Sequence, residues 1–349
     1  MTLRLLLLVL LASVATAHAQ DWDEEDIDPQ VAAQMQAQAE AHRLHAQRVA
    51  QALAATGRAR ELALAALLRR STSVATEGGV PPPGDAPSRR TAGDAQADAW
   101  LRAAAAKAGS DVLANQLVAA AAEDGPLRRE AAQRWQAAEP GNLVPLLSMD
   151  LPADALLADA RRAEDADVHL YAGVRWTRAA LARHPPTVAE QRVLAGGEQA
   201  FLVDEAATLF ATALWNASAM PTYHALAQAC RGTALRASPA RAADCRHVAT
   251  VLADRSDNLL GARVGLSMLA EVADRGPERA GVEARQRRMD WQMQQWGRLA
   301  SQQPRDGAAQ FMQLLEDPVV RTERDLLERV LRAGGVSPEP PPGWRPPRD

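Results

Sequence analysis

The stretch RWQAAEPGNLVPLLSMD, Arg134 to Asp150, sets a tryptophan, two prolines and a Gly-Asn pair in a chain otherwise rich in alanine, leucine and arginine. The residues leading into it have helical spacing. Leu127, Ala131, Trp135 and Ala138 fall on one face, which makes Trp135 a core anchor. Glu139-Pro140-Gly141-Asn142 ends that helix, because proline has no N–H to donate and glycine and asparagine accept turn geometry. Leu143, Leu146 and Leu147 open the next helix, with Pro145 tolerated in its first turn. The stretch is punctuation between two helices rather than the edge of a catalytic loop.

The same punctuation recurs. Gly109-Ser110, Asp124-Gly125-Pro126, Leu151-Pro152, His184-Pro185-Pro186, Gly196-Gly197, Met220-Pro221, Ser238-Pro239, Asp257-Asn258, Gly276-Pro277, Pro304 and Asp317-Pro318 cut the region into short segments. Proline at helix starts and glycine at helix ends account for most of these breaks. No β-branched run alternates with period two. VRWT around Trp176 comes nearest, and its neighbours Leu170, Val174 and Leu181 fit a helix better. The fold class expected is all-α, an array of antiparallel helix hairpins of α-solenoid type with flexible ends.

Helix, proline/asparagine turn, helix over residues 110 to 150 resembles the junction between units of tetratricopeptide-like repeat proteins, and RWTRAALARHPP, Arg175 to Pro186, has similar character. The 34-residue period and the Trp-Leu-Gly-Tyr pattern of that family are absent from this sequence. The resemblance implies an architecture and no binding residues.

The ends carry different information. MTLRLLLLVLLASVATAHAQ combines one basic residue, Arg4, an apolar run from Leu5 to Ala15, and small residues at Ala17 and Ala19. This is the order of a secretory signal peptide, residues 1–19, with cleavage expected after Ala19. The run is too short for a stable membrane anchor, and no second apolar stretch of spanning length follows. A periplasmic or secreted protein is expected. Residues 20–28 form an acidic leader segment, DWDEEDID from Asp21 holding six carboxylates, without the glycine and closing glutamate of a calcium loop.

Residues 29–71 read as N-terminal helices, with Val31, Met35, Ala39, Leu44, Val49 and Leu53, then Leu62, Leu64 and Leu67, near the helical period and Gly57 between them. Residues 72–93 are a Pro/Gly-rich linker, residues 94–333 a helical repeat domain, and residues 334–349, GGVSPEPPPGWRPPRD, a Pro-rich tail expected to be extended and disordered.

The formal charge is −4, and −5 once Arg4 is removed with the leader, which argues against nucleic acid as a partner. All of the 39 basic residues are arginine except Lys107. The two cysteines, Cys230 and Cys245, form an even count suited to a disulfide in an oxidising compartment. Ser238-Pro239 lies midway between them as N-cap and first helical residue. In an antiparallel hairpin both thiols would stand at the same height, about 10 Å from the turn.

Candidate chemistry is sparse. His42 and His45, with Glu40, could share a metal, but two imidazoles do not close a site, and a solvated helix face explains them. His224 and His247 flank the cysteines without the short paired spacing of zinc modules. Gly261 and Gly265 suit the close approach of two helices. Met289, Met293 and Trp296 form a helical stripe with Trp291 displaced from it and Arg285, Arg287 and Arg288 beside it. Arg288, Trp291, Trp296 and Trp344 are the candidate interaction surface, since Trp and Arg are favoured at interfaces. Asn216-Ala217-Ser218 matches a glycosylation acceptor but lies within an expected helix. No catalytic residue, cofactor or metal is expected. The functional expectation is an exported scaffold for a protein or peptide partner in the cell envelope. The alternative is a periplasmic enzyme, for example a hydrolase acting on cell-wall material, whose carboxylates or histidines converge only in three dimensions.

Overall fold

A computed structural model describes residues 28–74, 94–122, 125–196, 202–218, 220–235, 238–273, 276–302 and 306–347. The expected signal peptide, nearly all of the acidic leader, and most of the 72–93 linker lie outside the described residues. Among the described residues there are 17 helices and no strand, so the fold is all-α.

The first five helices are α1 (Pro29–Ala55), α2 (Ala59–Val74), α3 (Ala95–Lys107), α4 (Val112–Ala121) and α5 (Pro126–Ala138). Their starts follow cap chemistry. Asp28, Asp94 and Asp111 each accept a hydrogen bond from a backbone N–H in the first turn of α1, α3 and α4. Gly57 turns the chain between α1 and α2 at φ +66°, the left-handed region that glycine adopts without strain. Val49 and Leu53 of α1, Leu62, Leu64 and Leu67 of α2, Leu101 of α3, Leu117 of α4 and Trp135 of α5 share one core. The helices on either side of the linker region therefore pack as one body. Arg60 of α2 reaches Asp111 at 2.7 Å across that junction.

Two expectations about the apolar face of these helices are corrected. Val31, Met35 and Leu44 are 43%, 44% and 48% exposed. Two causes act: Leu44 lies about 140° around α1 from the buried Val49, on the opposite side of the helix, while Val31 and Met35 are left uncovered by length. At 27 residues α1 outruns the 16-residue α2, so its N-terminal turns lie beyond α2 and meet the short helix Val188–Leu194 instead. On α5, Ala131 and Trp135 are buried and Leu127 is half-buried as expected, but Ala138 is exposed and Ala132 is buried instead.

The chain continues through α6 (Val144–Leu147), α7 (Ala153–Ala160), α8 (Leu170–Ala182), α9 (Val188–Leu194) and α10 (Val203–Ser218). The Pro145 helix is thus a single turn. The indole of Trp215 on α10 lies against Gly173 of α8 and donates to Thr177 Oγ1 at 2.7 Å. Helix α9 returns to α1, where Gln34 donates to the carbonyl of Gly196 at 3.0 Å and Arg48 pairs with Glu190 at 2.5 Å. This is a contact between distant parts of the chain rather than between successive hairpins.

The last helices are α11 (His224–Ala229), α12 (Gly232–Leu235), α13 (Pro239–Arg255), α14 (Leu259–Val272), α15 (Pro277–Gln302), α16 (Asp306–Glu316) and α17 (Glu323–Ala333). Helices α13 and α14 make a close pair. A Cβ on Gly265 would stand 2.3 Å from the backbone nitrogen of Ala253, which accounts for glycine there. Cys230 and Cys245 are disulfide-bonded, with Cα atoms 5.5 Å apart, and both are buried. Ser238 caps α13 through a hydrogen bond from Arg241 N, with Pro239 in the first turn. The first arm of the hairpin differs from expectation. Helix α11 stops at Ala229, Cys230 is its C-cap, and α12 is one turn, so the bridge joins a helix end to a long helix.

Candidate functional site

The described residues bring chemistry-bearing side chains together in one place, where three helix N-termini meet behind the Glu139–Asn142 turn. Asn142 is buried and fully engaged. Its Oδ1 accepts from Val144 N at 3.0 Å and Asp167 N at 3.1 Å, while Nδ2 donates to Glu139 Oε2 at 3.0 Å and to the Asp167 carbonyl at 2.8 Å. Glu139 Oε2 also accepts from Trp135 Nε1 at 2.8 Å and meets His169 Nε2 at 2.9 Å. The other ring nitrogen of His169 lies 3.4 Å from Asp167 Oδ2.

Asp257 enters from the α13–α14 junction. Its Oδ1 accepts from Val168 N at 3.0 Å and its Oδ2 from Leu170 N at 2.9 Å, which places a carboxyl on the N-terminus of α8. Asn258 caps α14 through Gly261 N at 2.7 Å, and Glu323 Oε2 accepts from Leu259 N at 2.6 Å. The Glu323 N–H in turn donates to the Asp257 carbonyl at 2.8 Å. Each buried acid thus rests on a helix start, where unpaired N–H groups and the helix dipole favour negative charge. His169 precedes α8 at φ +51°, a left-handed conformation uncommon outside glycine.

The electrostatics follow from this packing. Burial pushes Glu139 up, but hydrogen bonds from His169, Asn142 and Trp135 outweigh it and hold the carboxyl at about 2. For His169 burial acts downward, and Glu139 with the charge of Asp167 raises it above the ordinary imidazole value. Both shifts favour the imidazolium–carboxylate form of the pair. Burial, then the neighbouring Asp167 charge, lifts Asp257 to about 8, against the Leu170 and Val168 N–H groups that favour its ionised form. Burial also raises Glu323, opposed by the Leu259 N–H. Chemically, the cluster holds protons and ties helix ends. Glu139 accepts from Trp135, Asn142 and His169 through Oε2, and Asp257 accepts from backbone N–H groups through both oxygens.

A pocket of about 160 Å³ opens nearby, lined among others by Gln116, Arg128, Trp135, Ser148 and Met220. Gln116 donates to the Val168 carbonyl, and its Oε1 is buried with no hydrogen-bond partner among the described residues. Arg128 is the one ionisable side chain in that lining.

Residues 334–347 occupy a second place of interest. The tail is extended, as expected, but seated on α15 rather than disordered. Helix α17 ends in a local lock in which Gly335, at φ +68°, donates to the Arg332 carbonyl and Val336 N donates to the Leu331 carbonyl at 2.9 Å. This cap aims the chain back along α15. Trp291 Nε1 then donates to the Ser337 carbonyl at 3.0 Å, Gln292 Nε2 to the Pro338 carbonyl at 3.1 Å, and Arg288 pairs with Glu339 at 3.1 Å. A turn at Pro341-Pro342-Gly343, closed by Trp344 N to the Pro341 carbonyl at 3.1 Å, has Gly343 at φ +78° where a type II turn requires a positive φ. It returns Trp344 edge-on to Trp291, with ring centroids 5.3 Å apart.

Of the four candidate surface residues, the structure brings Arg288, Trp291 and Trp344 together. Trp296 is half-buried and sits five residues beyond Trp291, about 140° around α15. Met289 is buried and Met293 packs against the core, as the stripe implied. The histidine candidates have ordinary partners. Glu40 pairs with Arg43, His45 lies 3.0 Å from Arg48, His224 bonds Gln228 and His247 meets the Ala163 carbonyl. Asn216 is exposed near the end of α10. The sequence marked Glu139, Asn142 and Asp257 only as breaks between helices and did not single out Asp167, His169 or Glu323. Thr322, the N-cap of α17, is the local signal that lay beside Glu323. No family model, no curated protein and no solved structure matches this chain.

Proposed function

We propose that this protein is an exported α-helical scaffold, tetratricopeptide-like in architecture, that acts by binding a protein or peptide partner in the cell envelope. One observation carries the reading. The convergent acids and imidazole, the group that could have formed a reaction centre, are committed to holding helix ends together, with Asp257 bonded through both oxygens to α8 and Glu139 accepting from three side chains. At its surface the fold carries a helix face bearing Arg288 and Trp291, residue types suited to protein contact, on which the extended segment from Ser337 to Trp344 is seated. The buried Cys230–Cys245 disulfide is of the kind that persists in oxidising compartments and supports export.

Two measurements test this. N-terminal sequencing of exported material should begin at Gln20, and a start at Met1 would refute cleavage. Photo-cross-linking from α15 in the envelope fraction should capture a discrete partner. A chain that captures none, yet turns over cell-wall polymer, would replace the scaffold with the hydrolase reading.

A further inference from the structure

We propose that the face of α15 formed by Arg288, Trp291 and Gln292 is a recognition groove for extended, proline-rich segments of a partner protein, held in the unbound chain by residues 336–345 acting as an internal ligand. The inference deepens the scaffold reading and rests on it.

The contacts are those of a receptor reading a peptide main chain. Arg288, Trp291 and Gln292 stand at i, i+3 and i+4, one face of a helix. Two of them donate side-chain hydrogen bonds to successive carbonyls, Ser337 and Pro338. A prolyl residue has no N–H, so a proline-rich segment in extended form makes no hydrogen bonds of its own and presents its carbonyls to such donors. The segment also shows the alternation of a seated extended ligand. Val336, Pro338 and Pro340 are half-buried, while Ser337, Glu339 and Pro341 face solvent.

Recognition beyond the main chain comes from two points, an acidic residue against Arg288 and an aromatic ring against Trp291. The partner segment is therefore proline-rich, with an acidic residue near its start and an aromatic residue after a turn. The internal ligand is shallowly held. Glu339 keeps 60% of its side chain exposed, Arg288 keeps 43%, and Pro341, Pro342 and Gly343 are exposed. A segment bound this way can be displaced by one that covers the same donors. A linked ligand competes at an effective concentration on the order of millimolar, so a partner must match its chemistry to enter.

The test uses the full chain and a fluorescein-labelled peptide with the sequence of residues 335–347, read by anisotropy, with folding checked by circular dichroism. The wild-type chain should bind the peptide weakly. Trp344→Ala, and independently Glu339→Arg, which sets a like charge against Arg288, should loosen the internal segment and tighten peptide binding by about tenfold or more. Adding Trp291→Ala to either variant should abolish the gain. If both loosened variants stay folded and gain no affinity, the groove is overturned. A concentration-dependent wild-type dimer lost on Trp291→Ala would assign the groove to a second copy's segment and overturn the partner assignment. Equal envelope cross-linking by wild type and Trp291→Ala would refute this groove while leaving the scaffold reading intact.

Discussion

His169 Nε2 stands 2.9 Å from Glu139 Oε2, joining the residue before α8 to the residue after α5 across 30 positions of sequence. Because Glu139 is lowered to about 2, its contribution to stability is present above its ordinary value of 4.5 and is lost only as pH falls toward 2. His169 is raised above 6.5, so its contribution is complete below 6.5 and is lost as pH rises through the higher folded value.

Asp257 adds to the alkaline slope. Its folded value of about 8 exceeds the ordinary 3.8, so its contribution is full below 3.8 and is lost as pH rises through about 8. Unfolding free energy, measured by denaturant titration, should therefore fall from pH 6 to pH 9. Asp257→Asn should flatten that fall while lowering stability at pH 6 by about 1–3 kcal/mol, since one amide-bonded oxygen is lost. Stability that rises over this range would contradict the cluster's charge state.

Asn142→Ala would strip partners from the buried N–H of Val144, from Asp167 N and from the Asp167 carbonyl at once. We expect a loss of about 3 kcal/mol in thermal or chemical unfolding. Asn142→Asp should be at least as damaging at neutral pH, because it adds a carboxylate beside Glu139 and Asp167, and should recover in part when acidified. A neutral outcome for both would show that the turn is held by other contacts.

Trp215 leaves no room above Gly173, where an added Cβ would come within 2.3 Å of the indole. Gly173→Ala should destabilise the chain by about 1–3 kcal/mol and disturb near-ultraviolet dichroism, although alanine is the better helix former. An increase in melting temperature would mean that the indole can move aside.

Removing the Cys230–Cys245 disulfide, which spans 15 positions, should cost about 3 kcal/mol in the chain-entropy account. Cys245→Ser should show this in unfolding, and non-reducing peptide maps of the native chain should contain the cross-linked pair. Two free thiols in exported protein would contradict it.

The boundary between what was legible and what was not falls between local and long-range physics. Helix starts at Ser238 and at Asp257-Asn258, the glycine turn at Gly57, the close approach at Gly265 and the anchoring role of Trp135 follow from cap chemistry, proline geometry and a 3.6-residue period, all carried within a few residues. Those signals made the all-α class readable. They failed where burial depends on which helix arrives: Val31 and Met35 share the face of Val49 but lie beyond the end of α2. The meeting of Glu139, His169, Asp257 and Glu323 could not be read from spacing, because Glu139 and Asp257 were visible only as helix breaks, His169 and Glu323 carried no reading of their own, and three distant helix starts had to dock before their unpaired N–H groups could share these acids. The seat of the tail was hidden for the same reason. Proline content showed that residues 336–345 would be extended, but only the packing of α15 against α17 supplied the indole and amide donors that hold them.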